Sequence, residues 1–100
     1  MIRGSTPTHT FNIKLDTSRI KALKITYSQN DKVVLAKYKK DCTISEGKII
    51  LTLSQEDTFL FDADKYAFIR MRVLDIDGKC VPSKKMMLTV EDCEDDEVLK

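Results

Sequence analysis

Short stretches in which apolar and polar residues alternate one by one are the feature that most constrains the fold of this chain. Between residues 10 and 15, Phe11, Ile13 and Leu15 alternate with polar neighbours. A side-chain period of two is that of a half-buried strand, because successive side chains point to opposite faces of a sheet. Similar stretches lie at residues 23–27, 33–38, 42–44, 48–53, 66–74 and 81–91. The sequence therefore predicts a chain made mostly of strands, without a long helix.

Turn signals separate these stretches and favour antiparallel pairing. The hairpin signals are Asn30-Asp31, Glu46-Gly47 and Asp77-Gly78. Ser54, followed three residues later by Asp57, has the capping-box pattern and predicts one helical turn over residues 55–60. About seven short strands of this kind are typical of an all-β, immunoglobulin-like antiparallel β-sandwich. A small Greek-key barrel is the alternative.

The stretch 66–74 is the longest predicted strand, and its two faces differ in chemistry. Its inward face is expected to carry Ala67, Ile69, Met71 and Val73. Its outward face is expected to carry Tyr66, Phe68, Arg70 and Arg72. Aromatic residues and arginine are enriched in protein interfaces, so these four residues are candidates for protein binding. The alternative is an ordinary exposed face stabilised by cross-strand pairs.

The residues before the first stretch form an N-terminal arm, residues 1–7, which leads into a segment rich in threonine. Pro7 and the β-branched threonines favour extended chain. Two interpretations remain open: an ordinary first edge strand, or an arm that adds to a neighbour's sheet. Under the second, deletion of residues 1–8 is expected to abolish partner binding and to leave the fold intact. The candidate contact residues of the arm are Ile2, Arg3, Thr6 and Thr8.

The charges are unevenly distributed along the chain. Residues 1–90 carry a net charge of +6, and residues 91–100 carry −5, from six acids and one lysine. The length of 100 residues fits one domain. We therefore predict a single sandwich domain over residues 1–91, including the arm, and an acidic tail over residues 92–100. The tail is expected to fold back on the body, to meet a basic partner or to keep the chain soluble.

Composition argues against several classes of partner. Basic clusters lie at residues 37–40 and 84–85, but no aromatic platform or nucleic-acid motif accompanies them, so nucleic-acid binding is not expected. No apolar run approaches the roughly 18 residues that cross a bilayer, and no membrane partner is expected. The first ten residues lack the apolar segment that a signal peptide contains, so no signal peptide is expected.

Catalytic and metal-binding chemistry is also not expected. His9 is the one histidine, and no triad spacing surrounds it. Cys42, Cys80 and Cys93 are widely spaced, so we predict reduced thiols, with Cys42 and Cys80 in or near the core. The segment 75–78 begins like a calcium loop but lacks its remaining ligands. The sequence therefore predicts a non-enzymatic protein without cofactor or metal.

The order of several segments resembles a family of small proteins, about 100 residues long, encoded among the structural genes of tailed phages and prophages of Firmicutes. The resemblance lies in residues 1–11 (MIRGSTPTHTF), 20–21 (IK), 25–29 (ITYSQ), 51–58 (LTLSQEDT) and 95–99 (DDEVL). The N-terminal immunoglobulin-like domain of phage upper baseplate proteins is similar more distantly.

The resemblance implies a virion or assembly protein that is associated with the tail or baseplate, is made in the cytoplasm of the bacterial host and binds other phage structural proteins. It implies no catalytic residues. A homo-oligomer fits the symmetry of such assemblies. The alternatives are a capsid-decoration protein, a module that binds carbohydrate or a cell surface, and a small regulator directed at a host protein.

Overall fold

Strands dominate the structure, a computed structural model that describes residues 1–83 and 85–100. The strands are β1 (Thr8–Asn12), β2 (Ile20–Gln29), β3 (Lys32–Tyr38), β4 (Thr43–Ser45), β5 (Lys48–Thr52), β6 (Tyr66–Asp75), β7 (Cys80–Pro82) and β8 (Met86–Thr89). The helix α1 spans Gln55–Phe59, and short 3₁₀ turns span Thr17–Arg19 and Lys39–Asp41. The predicted all-β class is confirmed.

The strands form two antiparallel sheets that share one core. The smaller sheet has the order β1–β5–β4, and the larger has the order β3–β2–β6, with β7 and β8 both paired to the far side of β6. These positions correspond to strands B, E and D and to strands C′, C, F and G of an immunoglobulin-like sandwich. Two separate sheets make a sandwich and not the alternative, a closed barrel.

The structure corrects the prediction of one continuous last strand over residues 81–91. This segment is divided into β7 and β8, so the described chain has eight strands instead of about seven. Ser83 causes the division, because its side-chain oxygen accepts from the Met71 amide at 2.8 Å while its amide donates to the Met71 carbonyl at 2.7 Å. Lys84, inside the predicted strand, lies outside the described residues. Pro82 lies on the edge strand β7, where a missing amide is tolerated.

The tight turns follow the sequence signals. Asn30 and Asp31 both have positive φ angles, 52° and 61°, which suits the two-residue turn between β2 and β3. Gly78, in the turn after β6, has a φ of 83°. The capping box is present as predicted: the Asp57 amide donates to the Ser54 hydroxyl at 3.1 Å, and the Ser54 amide donates to the Asp57 carboxylate at 3.0 Å.

The core lies between the sheets and is built from the inward side chains of both. All four predicted inward residues of β6 are buried: Ala67, Ile69, Met71 and Val73. The rings of Tyr27 and Phe61 meet edge to face, with centroids 5.8 Å apart, and both are almost fully buried. Because burial fixes one face of each strand inward, it also fixes the opposite face outward.

The core predicts the effect of a leucine truncation. Leu53 has no exposed surface, whereas 57% of Leu60 is exposed. We expect Leu53→Ala to lower the free energy of unfolding by about 2–5 kcal/mol, since it leaves a cavity. We expect the matched control Leu60→Ala to change it by about 0.5 kcal/mol or less. Urea unfolding of both variants checks this, and equal effects would contradict the assigned core.

Candidate protein interface

One side of the larger sheet faces away from the core and combines cations with aromatic rings. We call this surface the basic face and define it by Lys24, Tyr38, Tyr66, Phe68, Arg70, Arg72 and Lys85. Residues directly opposite on neighbouring strands share a face. Lys24 of β2 lies opposite Tyr38 of β3 on one side and Arg72 of β6 on the other. Antiparallel pairing therefore assembles the surface from residues far apart in sequence.

The cations of the basic face have no carboxylate partner. None of the ion pairs among residues 1–83 and 85–100 includes Lys24, Arg70, Arg72 or Lys85. No Asp or Glu of the described strands points to this side, since the residues opposite Arg70 and Arg72 are Thr26, Lys24 and Pro82. Arg70 and Arg72 are both exposed. The face therefore presents uncompensated positive charge to solvent.

Two of the aromatic rings are covered by lysines of the same face. The Lys85 ammonium lies 4.0 Å from the centroid of the Phe68 ring, and the Lys24 ammonium lies 5.8 Å from that of Tyr38. These are cation–π contacts, and they occupy the ring surfaces on which a nucleic-acid base would stack.

A hollow of about 320 Å³ adjoins the basic face. Its apolar lining includes Ala22 and Leu74, and Lys24 and Arg72 also line it. Cys80 also lines it and is exposed, which corrects the prediction of a near-core position. Cys42, the other thiol predicted there, is partly buried and packs against the core, as expected.

The structure brings the predicted sheet residues together but places the arm residues elsewhere. Tyr66, Phe68, Arg70 and Arg72 all lie on the basic face, as predicted. Lys24, Tyr38 and Lys85 were not predicted as members. The hairpin signal at Asn30-Asp31 indicates that β2 pairs with β3, but a bulge between Tyr27 and Ser28 shifts the register by one residue and places Lys24 opposite Tyr38. No hydrogen bond or ion pair in the described chain joins Ile2, Arg3, Thr6 or Thr8 to this face.

The arm is folded onto its own domain. Ile2 forms a parallel bridge with Glu91, and the Arg3 amide donates to the Glu91 carbonyl at 2.9 Å. Thr8 begins β1 and pairs with Thr52 of β5, and their hydroxyl oxygens are 2.9 Å apart. Thr8 therefore lies in an ordinary edge strand, the first of the two interpretations of this segment. Thr6 precedes this strand and is exposed.

Arg3 joins the arm to two other parts of the chain. Its side chain donates to the carbonyl of Phe61 at 2.8 Å and to that of Phe59 at 3.4 Å. It also donates to the carboxylates of Asp92 and Asp96, at 3.2 and 3.0 Å. The guanidinium lies over the Phe59 ring, 5.6 Å from its centroid. One side chain thus holds the arm, the end of α1 and the acidic tail together.

The acidic tail, residues 92–100, folds back on the body, one of the three outcomes expected from its charge. Besides the Arg3 contacts, the Gln55 side-chain amide donates to the Leu99 carbonyl at 3.0 Å and accepts from the Leu99 amide at 2.8 Å. Asp92, Cys93 and Asp96 offer ligand atoms within 4.8 Å of one another. The Arg3 guanidinium donates to both of these carboxylates and offsets part of their charge.

His9 belongs to the core edge and is not aligned with a nucleophile. Its Nδ1 lies 2.6 Å from the Tyr27 hydroxyl. Burial, with a smaller contribution from the terminal ammonium, lowers the pKa of His9 below its ordinary 6.5. Burial also raises the pKa of Tyr27 above its usual range, so Tyr27 keeps its proton. The pair is therefore a neutral hydrogen bond between the sheets.

The basic clusters found in the sequence are partly used within the chain. The Lys37 ammonium lies 3.1 Å from the Asp57 carboxylate, and Lys39 donates to the Ile20 carbonyl at 2.9 Å. Both bonds tie β3 and its following turn to other elements, so these lysines serve the fold.

Comparison with protein-family models, with curated proteins and with solved structures gave no match. None of the helices in the described part of the chain has the length and apolar character needed to cross a membrane.

The position of Arg3 predicts that its loss loosens both ends of the chain. We expect Arg3→Ala to lower the free energy of unfolding by about 1–2 kcal/mol, because the bonds to the two carbonyls are shielded from solvent while the acids are exposed. Hydrogen exchange of residues 1–4 and 91–99 should become faster. The control Arg19→Ala removes an exposed pair with Asp77 and should leave that exchange unchanged.

The lowered pKa of His9 predicts how stability depends on pH. The unfolded chain binds a proton to His9 more readily than the folded chain, so folding is favoured above pH 6.5 and is weakened as pH falls below it. The variant His9→Gln should lose this part of the dependence. Urea unfolding between about pH 5 and pH 8 measures it, and an identical profile for both proteins would contradict the assignment.

Proposed function

We propose that this chain is a non-enzymatic structural or assembly protein of a phage or prophage, associated with the tail or baseplate, and that it binds other virion proteins through the basic face. The phage assignment rests on the resemblance of the sequence. The binding role rests on one observation, a sheet face on which four cations have no carboxylate partner among the described residues and lie beside exposed aromatic side chains.

The chemistry of the basic face supports a protein partner. Tyr66 is 58% exposed and lies on the same strand face as Arg70 and Arg72. Aromatic residues and arginine contribute strongly to protein interfaces, and unpaired cations favour a partner surface that carries acids. The hollow beside Lys24 and Arg72 adds an apolar site that a partner side chain fits. Polar and apolar contacts would thus be made together.

The covered aromatic rings argue against single-stranded nucleic acid as the partner. Stacking on Phe68 or Tyr38 would require Lys85 or Lys24 to move off the ring. A carboxylate partner needs no such movement, since it can approach the ammonium groups from solvent.

Strand addition through the arm is less favoured by the contacts of the arm. The amides of Arg3, Gly4 and Ser5 already donate to Glu91, Thr58 and Ile2 within the chain. These bonds would have to break before residues 1–7 could pair with a neighbour's sheet. We therefore expect deletion of residues 1–8 to destabilise the domain as well.

Capture of virion proteins by the purified chain tests the proposal. We expect the double variant Arg70→Glu, Arg72→Glu to bind its virion partner at least about tenfold more weakly, because it reverses charge at the centre of the face. The matched control Lys14→Glu, Lys48→Glu makes the same change in net charge on exposed residues of other elements. It should bind like the unchanged protein. Capture that survives nuclease treatment assigns the contact to protein.

Quantitative mass spectrometry of purified particles locates the protein. A few to a few tens of copies per particle, on the order of a symmetric ring, would support a tail tip or baseplate position. Hundreds of copies would point to capsid decoration instead. Absence from particles, together with no captured virion protein, would contradict the proposal.

A further inference from the structure

The basic face and the acidic tail carry opposite charge on one chain, yet they do not meet within it. No ion pair in the described residues joins a tail acid to Lys24, Arg70, Arg72 or Lys85. The contacts of Arg3 and Gln55 hold the tail beside α1 instead. Both surfaces are therefore presented outward at the same time.

The acids that remain available match the cations of the face. Among the described residues, the acids that form ion pairs with Arg3 are Asp92 and Asp96. The other acids of the tail are exposed and have no ion-pair partner among the described residues; they are Glu94, Asp95 and Glu97. These three tail acids, like the four cations of the basic face, have no ion-pair partner in the described part of the chain.

The tail also presents an apolar group next to its acids. Leu99 is 73% exposed, although Gln55 holds its backbone with two hydrogen bonds. The hollow beside the basic face, about 320 Å³, is large enough for one aliphatic side chain, since a water molecule takes about 30 Å³. Lys24 and Arg72, which also line the hollow, would lie near the carboxylates that precede Leu99 in the tail.

We infer that the basic face binds the acidic tail of a second copy of this chain, with Leu99 of that copy in the hollow. This inference rests on the proposed function in so far as both use the basic face as an interface. The tail and the face are different surfaces, so the contact is head to tail and leaves a free face at one end of the pair and a free tail at the other. Such contacts continue into rings or filaments, as expected of a component of a repeated assembly.

Sedimentation velocity of the full chain tests the inference. We expect association beyond the dimer at about 0.01 M ionic strength, and its weakening at about 0.15 M, because the screening length falls from about 30 Å to about 8 Å. A chain that stays monomeric at about 1 mM and low ionic strength would overturn the inference.

Charge reversal identifies the two surfaces. The face variant Arg70→Glu, Arg72→Glu and the tail variant Glu94→Lys, Asp95→Lys, Glu97→Lys should each be monomeric, and their mixture should associate again. The tail variant keeps both acids that Arg3 holds. The control Lys14→Glu, Lys48→Glu should associate like the unchanged protein. Association that survives both reversals, or a mixture that stays monomeric, would contradict the contact.

Truncation of one leucine tests the hollow separately. Leu99→Ala should weaken association by about tenfold, the loss expected for an apolar side chain that enters a pocket. Leu60→Ala, which truncates another exposed leucine, should have no effect. Equal association of both variants would remove Leu99 from the contact.

The two proposals fail in distinguishable ways. The unchanged chain could be monomeric while the face variant loses its virion partner. In that case the inference is wrong and the proposed function stands, and the basic face binds an acidic segment of another protein. If the chain associates as predicted but captures no virion protein, the inference stands and the proposed function is wrong.

Discussion

The central strand β6 is the element on which the rest of the structure depends. It pairs with β2 on one side and with β7 and β8 on the other, so it holds the larger sheet together. Its inward side chains, from Ala67 to Val73, fill the core. Because side chains alternate along a strand, the same burial forces Arg70 and Arg72 into solvent. The core and the basic face are thus two consequences of one strand.

Polar contacts hold the two ends of the chain against the domain, whereas apolar burial holds the two sheets together. Arg3 bonds the arm to the carbonyls near α1 and to the tail, and Gln55 holds the tail at Leu99. The amides of Arg3, Gly4 and Ser5, which strand addition would need, donate to Glu91, Thr58 and Ile2. On the outer side of the larger sheet, Arg70 and Arg72 have no ion-pair partner among the described residues. The proposed interface therefore lies on a side of the sheet that these contacts of the chain ends leave open.

Local patterns in the sequence predicted the elements well, and long-range contacts account for what they missed. The alternation over residues 66–74 and the Asn30-Asp31 turn depend only on neighbouring residues, and both were predicted. The interruption at Ser83 depends on its bonds to Met71 in another strand. The bond of Arg3 to Phe61 spans 58 residues. No local pattern contains such a contact, so the closure of the arm could not be predicted.

The same distinction applies to the candidate interface. The alternation within β6 predicted its four residues. The pairing of Lys24 with Tyr38 depends on the bulge between Tyr27 and Ser28, which the turn signal does not contain. The neighbouring position of Lys24 and Arg72 depends on the register between β2 and β6, which no short turn sets.

Hydroxyl-radical footprinting of the protein, free and within particles, measures the proposed contact most directly. We expect lower oxidation in particles of Tyr66 and of Met87, an exposed residue of β8 that lies opposite Phe68, and no change at Leu60. Unchanged oxidation of Tyr66 and Met87, with protection of the arm, would contradict the basic face as the contact surface.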